Sequence, residues 1–312
     1  MTQAKVGTYE KREICNQVDR ILRDLGNPEP PLRLKDVRAL LTLDLQYYNS
    51  SDPGLVSELT HRFRLLAGKT IPDIGKHLLT ALAKSRLCAF WVPDSQRILI
   101  DKDVPEPKHR WIEGHEISHS IAPWHREFLL GDNSHTLDPM CQAILEAEAN
   151  YGAGRLLFLQ DRFAREARDL DLSFESIKFL AKRYDNSIMS TLWRTVEDRD
   201  PNQAVFGMIS IHPHHPDIGV HDESSPWRYF IRSVAFRTQF STVSPDKVFK
   251  LIASYASSRR TGPVMSVHHI LQDIVGDEWV FQIESFSNSY ALLTFGVAVR
   301  KCSHLVQVGQ IQ

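Results

Sequence analysis

Cysteine is scarce, with four residues, Cys15, Cys88, Cys141 and Cys302, standing far apart and forming no C-x-x-C pair. Neither a disulfide framework nor a thiolate zinc knuckle follows from that spacing; a cytoplasmic protein with reduced thiols is the expectation. An excess of one charge is missing too. The 37 Lys and Arg residues face 38 Asp and Glu, a net charge of −1 at pH 7. No global field therefore draws the chain onto nucleic acid or an anionic membrane. Apolar runs are short, and none approaches the ~18 residues needed to span a bilayer. The opening "MTQAKVGTYEKREICNQV" has no apolar core of signal-peptide length. Repeats and low-complexity tracts are absent. What remains is an ordinary globular composition, 42% apolar and 24% charged over 312 residues, enough for one large core or two ordinary ones.

Periodicity orders the chain into helices first and strands later. Ile14, Val18, Ile21, Leu22 and Leu25 fall at helical spacing and end at Gly26. "NPEPP" breaks the chain, "LRLKDVRALLTL" restarts a helix, and "LDLQYY" alternates like a short strand. Residues 55 to 86 read as helical. "CAFWV" and "RILID" flank a Pro-Asp turn and predict a hairpin over 88–101. A helix over about 107–121 stops at Pro123, and a loop covers 131–140. One long helix is expected over about 139–168, then two helices with a tight turn at Asp185-Asn186. "DRDPNQ", residues 198–203, reads as the linker between domains. The tail beyond it is β-rich in "AVFGMISIH", "WRYFIRSVAF", "EWVFQIESF" and "YALLTFGVAV", interrupted by one helix with Ser244 as N-cap and Pro245 at its first position.

The chemistry concentrates in "HRWIEGHEISHSIAPWH", residues 109–125, whose centre is the H-E-x-x-H of His115, Glu116 and His119. Residues four apart on a helix are separated by about 40° and share a face, so both imidazoles can address one ion. Glu116 lies about 100° from His115, placed to reach a water beside the ion rather than the ion itself. That division of labour describes zinc-assisted hydrolysis, with one Zn2+ per chain and Glu116 as the base. A third ligand is needed, and "ILEAEANYGAGRLL" offers Glu146, with Asn150 one turn on to hydrogen-bond a ligand. Glu148, two residues away on a different face, is the alternative third ligand.

These residues carry a resemblance. "RWIEGHEISHSI" followed by "EAEANYGAGRLL" resembles the ImmA/IrrE family of zinc metallopeptidases. The family pattern is Arg-Phe, three residues, H-E-x-G-H, then E-x-x-A-N/D-x-F-A-x-x-L-L-M-P. Arg110-Trp111 stands at the Arg-Phe position, and Glu146, Ala149, Asn150, Ala153, Leu156 and Leu157 match. The N-terminal "ILRDLGNPEPPLRLKDVRALL" and the "RILID" strand look like the family's opening. "SIKFLAKRYDNSIMSTLWR" is similar to the helix-turn-helix-like segment that follows its peptidase core. The likeness covers about residues 12–196. Ser118 stands where the family has Gly, Gly152 where it has Phe, and Phe158-Leu159 where it has Met-Pro. The segment 55–86 is longer than the family's. The resemblance implies an α+β zincin-like metallopeptidase domain over 1–200, including the helix-turn-helix-like segment 174–196. It also implies a cytoplasmic endopeptidase that cleaves a protein, typically a helix-turn-helix repressor, in stress response or mobile-element control.

Other features are weighed beside this. A separate α+β domain is expected over 203–312, as a sensor or substrate-recruiting module. "IHPHHPDIGVH" clusters His212, His214, His215 and His221; Pro213 and Pro216 make it a surface loop before a second metal site. His125, His212 or His214 is the candidate to hydrogen-bond a tetrahedral oxyanion or contact substrate. Lys178, Lys182, Arg183 and Arg194 would be the phosphate contacts if residues 176–194 docked on DNA, but structural packing is the favoured role. Cys141 reads as a buried, inert thiol. The alternative to the peptidase is a non-catalytic, zinc-containing regulatory module that binds DNA or a protein partner. The intact Glu116 favours the peptidase.

Overall fold

The computed structural model describes residues 5–49, 89–92, 95–130, 139–215 and 226–302. The chain divides into two compact units, Met1–Gln160 and Asp161–Gln312.

In the first unit, helices α1 (Thr8–Asp24) and α2 (Leu34–Leu41) precede strand β1 (Asp44–Tyr48). Strands β2 (Ala89–Val92) and β3 (Arg97–Asp101) form the expected antiparallel hairpin, and β1 joins β3 in parallel, giving the order β1-β3-β2. Helices α3 (Glu106–Ile121), α4 (Pro123–Leu130) and α5 (Pro139–Leu157) follow. The segment read as helical over 55–86, and 131–138 of the expected loop, lie outside the described residues. Helix α3 carries the H-E-x-x-H and packs between the hairpin and α5. Arg38 Nε meets Glu113 Oε1 at 2.6 Å, fastening α2 to α3, and Arg110 donates to the Leu32 carbonyl at 3.0 Å. Each extended Arg thus clamps a face of α3 that the apolar pattern does not bury.

The α3–α5 seam is close because its residues are small. A Cβ on Gly114 would stand 3.0 Å from Leu157 Cδ1, and one on Gly152 would stand 3.0 Å from both Cβ and Oγ of Ser118. The seam therefore has room for one side chain at each crossing, and Ser118 occupies the space that a residue at 152 would need. The helix expected over 139–168 is two helices. Leu159 and Gln160 take left-handed backbone at φ 54 and 55, and Gln160 N–H donates to the Arg155 carbonyl in a Schellman-type stop. Gln160 is held there by its own amide, which donates to the Cys15 carbonyl at 2.8 Å and accepts from Arg155.

The second unit begins with α6 (Asp161–Arg168), α7 (Phe174–Tyr184) and α8 (Ile188–Asp198). Strands β4 (Val205–Ser210) and β5 (Trp227–Arg232), helices α9 (Val234–Gln239) and α10 (Pro245–Tyr255), and strands β6 (Thr261–Gln272), β7 (Glu278–Asn288) and β8 (Leu292–Lys301) follow. The five strands form an antiparallel sheet of order β5-β4-β8-β7-β6. Both faces are covered, which explains why β4 is buried at every position. Val205 and Ile209 face Phe174, Ile177, Leu192 and Val196 of α7 and α8; Phe206 and Met208 face Phe236 of α9, its C-cap Phe240, and Val248 and Ile252 of α10. The Phe206 ring lies directly on Gly296, where a Cβ would stand 2.2 Å from Cε1.

The division at 160/161 therefore precedes the linker expected at 198–203. The apolar faces of α7 and α8 are completed by the sheet, so this helix pair shares a core with the β-rich tail. "WRYFIRSVAF" is a strand only to Arg232, because Ser233 Oγ accepts from Phe236 N–H and N-caps α9. Strand β6 was not among the expected strands. The basic residues of α7 and α8 weigh against the DNA reading of 176–194: Arg183 is engaged by Glu166, Arg194 is buried against Asp198, and Lys178 meets Glu175.

Glu166 supplies a stability prediction. Both its oxygens are bound by Arg183, at 2.6 and 3.1 Å, and Arg162 adds a bond of 3.1 Å. The Arg183 bonds, assisted by Arg162 and Tyr184 and opposed by burial, hold this carboxyl down at about 2 against an ordinary 4.5. A folded-state value below the unfolded one means that the contribution is complete above pH 4.5 and is lost as pH falls toward 2. Glu166→Gln is expected to cost about 1 kcal/mol at pH 7, a modest figure because the cluster is partly open to water. The cost should shrink on acidification through that window. Urea midpoints measured from pH 7 to pH 3 check this, and a cost that grows toward acid refutes it.

Candidate metal centre

Helix α3 brings His115 and His119 onto one face, and α5 lays Glu146 across from them. One ligand atom of each lies within 4.8 Å of the others. The two Nε2 atoms are 3.2 Å apart, and Glu146 reaches His115 Nε2 at 3.2 Å and His119 Nε2 at 3.7 Å. Atoms held about 2.0 to 2.1 Å from one tetrahedral zinc are separated by about 3.3 Å, so this set fits the ion in both donor chemistry and spacing. Glu146 is 52% exposed while both imidazoles are largely covered, so the cluster opens to water on the Glu146 side.

Each imidazole has a partner behind it. Asn150 Oδ1 lies 3.2 Å from His115 Nδ1, and Asn150 fixes its own amide by donating to the Glu146 carbonyl at 2.8 Å. His119 Nδ1 lies 2.8 Å from His125 Nδ1.

Glu116 sits on α3 between the ligands and is 6% exposed. The Trp91 backbone N–H of β2 donates to its carboxylate. Burial, with the charge of Glu146, outweighs His115 and that N–H and raises this carboxyl to about 7. Burial lowers the His119 imidazole, as do the neighbouring His115 and His125 rings. His115 goes the other way. Burial alone would lower it, but the hydrogen bond to Glu146 and the charges of Glu116 and Glu146, with Asn150, raise it.

The fold is comparable with that of a solved structure. The sequence matches no family model and no curated protein. A Mycobacterium tuberculosis transcriptional regulator has a similar structure, with a TM-score of 0.53 and 11% sequence identity over 92% of this chain and 76% of that one. At that identity the likeness is one of fold.

Three further sequence-derived candidates, His125, His212 and His214, are each engaged by local partners. His125 is fully buried, with its ring nitrogens on His119 and Glu148 rather than facing a substrate. His212 and His214 belong to the second unit, and their Nε2 atoms bond the Arg259 and Ala256 carbonyls at 3.0 and 2.9 Å. Those bonds give both imidazoles a structural role beside the end of α10. Glu148, the alternative ligand, is 3% exposed and points to His125 and Trp124, so Glu146 alone of the two joins the imidazoles. Cys141 is half-buried and lines a cavity of about 500 Å³ with Tyr9, Trp124, Ile144, Leu145 and Glu148. The Trp91 backbone contact went unread in the sequence, since a backbone donor leaves no residue signature.

Proposed function

We propose that this chain is a zinc-dependent endopeptidase with a zincin-like first unit, acting in the cytoplasm on one specific protein. The observation that carries the reading is the convergence of His115, His119 and Glu146 with the buried Glu116 beside them. Bound zinc supplies a Lewis acid that polarises a peptide carbonyl and acidifies water. Glu116 takes a proton from the attacking water as its oxygen bonds to the carbonyl carbon. The same carboxyl then returns that proton to the amide nitrogen as the C–N bond breaks, so one water is consumed per bond cut. His115 and His119 hold the electrophilic centre, and Asn150 keeps the His115 ring from turning.

Substrate geometry follows from the sheet. Strand β2 is the edge of the β1-β3-β2 order, with no second strand partner among the described residues. An extended peptide laid along that edge would place its backbone beside the Glu116 carboxylate that Trp91 already touches. The resemblance to ImmA/IrrE peptidases supports a helix-turn-helix repressor as substrate, in stress response or mobile-element regulation.

A second reading draws on the fold likeness to a protein named a transcriptional regulator. There the zinc is structural and the chain acts by binding DNA or a protein partner. No helix among the described residues is long and apolar enough to cross a membrane.

The test begins with the metal. The purified full chain is expected to hold one zinc by elemental analysis and to cleave a helix-turn-helix repressor supplied as substrate, with fragments identified by mass spectrometry. Chelator should stop cleavage and zinc should restore it. A loaded chain that cuts neither that repressor nor a diverse peptide library favours the binding module. Cleavage of the library alone keeps the chemistry and discards the substrate.

A further inference from the structure

Behind the ligands lies a second group of buried polar side chains that the hydrolytic steps do not use. His125 is 0% exposed and Glu148 is 3% exposed. His125 Nε2 lies 2.9 Å from Glu148 Oε2, and Trp124 Nε1–H donates to the same oxygen at 2.7 Å. On its other side His125 Nδ1 lies 2.8 Å from His119 Nδ1. Polar groups so deeply buried cost stability unless fully satisfied, and apolar side chains of similar size would fill the space more cheaply. Their arrangement has one direction. An ionised carboxylate only accepts, so His125 Nε2 carries the hydrogen and Nδ1 keeps a lone pair. His119 Nδ1 must then donate to it. That leaves the lone pair of His119 on Nε2, the atom that faces His115 and Glu146.

We infer that Trp124, Glu148 and His125 form a positioning relay that fixes the tautomer and orientation of His119 as a metal ligand. Glu148 acts through His125 and makes His119 a stronger donor; Trp124 anchors the carboxylate. The two imidazoles are therefore held unequally. His119 is backed by a buried carboxylate through a second ring, and His115 by the neutral amide of Asn150 at 3.2 Å. The inference rests on the metal reading of the His115, His119 and Glu146 set, and it gives Glu148 a role distinct from the alternative ligand.

The experiment is a zinc competition titration of the full chain, stripped of metal, against a fluorescent chelator. Melting of the metal-free protein is recorded in parallel. Glu148→Ala and His125→Leu are each expected to weaken zinc binding about 10- to 100-fold, the range typical of partners behind a ligand. The double variant should bind no more weakly than the weaker single, because either change breaks the same chain. Glu148→Gln keeps an acceptor for both donors and loses the charge, so its loss should be several-fold and smaller than that of Glu148→Ala.

Wild-type affinity in folded single variants overturns the relay, as do losses that simply add in the double. Should both single variants fail to fold, unchanged affinity in Glu148→Gln overturns it alone. A wild-type chain that takes up no zinc overturns the metal reading beneath it, an outcome visible before any variant is compared.

Discussion

Glu116→Gln is expected to retain zinc and to lower peptide cleavage at least ~100-fold, the low end of what a positioned acid–base group contributes. The motivating geometry is a carboxylate 6% exposed, touched by the Trp91 N–H and raised to about 7 chiefly by burial. Gln keeps the shape and an oxygen to accept the Trp91 bond. It lacks the basic oxygen that can take a proton from water. Neutral Gln also avoids the desolvation that a buried carboxylate must bear, so the metal-free fold should be no less stable. The check pairs elemental zinc analysis with single-turnover cleavage, and wild-type rates in a zinc-loaded variant would sink the catalytic assignment. The non-catalytic regulatory module would then stand in its place.

His119→Ala is expected to remove the metal itself. Free energies of tight protein zinc sites are on the order of 10 kcal/mol, and one of three donors carries roughly a third. Loss of about 3 kcal/mol raises the dissociation constant more than ~100-fold. The substitution also leaves His125 Nδ1 without the partner it has at 2.8 Å, so some cost should appear in the metal-free protein too. Cleavage should fall with occupancy and recover partly at high zinc concentration. Stoichiometric zinc at wild-type affinity in this variant would exclude His119 as a ligand. Because Glu116→Gln separates activity from metal and His119→Ala removes both, the pair distinguishes the base from the ligand.

Much of the site was legible in one dimension because it is written in helix periodicity. His115 and His119 needed only the four-residue spacing, and α3 runs as read, from Glu106 to Ile121. Glu146 and Asn150 share the same spacing on α5, so the ligand and the group behind His115 came together. Ser118 and Gly152 looked like two unrelated departures from the family pattern. Across the helix seam they are one feature, the serine filling what the glycine vacates. His125 was visible as a fourth histidine yet was given the wrong neighbours. Its position six residues past His119 crosses the break at Ala122, where helical spacing no longer says which way a side chain points.

Local chemistry in the sequence determined the elements whose signals are short in range: the α3 helix, the β2–β3 hairpin, the cap at Ser244, and the β-rich runs that become β4 and β8. The tertiary structure decided everything that depends on which surfaces meet. Helices α7 and α8 have apolar faces that several partners would satisfy; packing against Val205, Ile209, Leu293 and Phe295 assigns them to the second unit. Glu146 and Glu148 are two carboxylates two residues apart. On a helix that separation is about 200°, so one faces the imidazoles and the other Trp124 and the buried His125. Periodicity states that two residues face apart, and only long-range packing supplies what each of them faces.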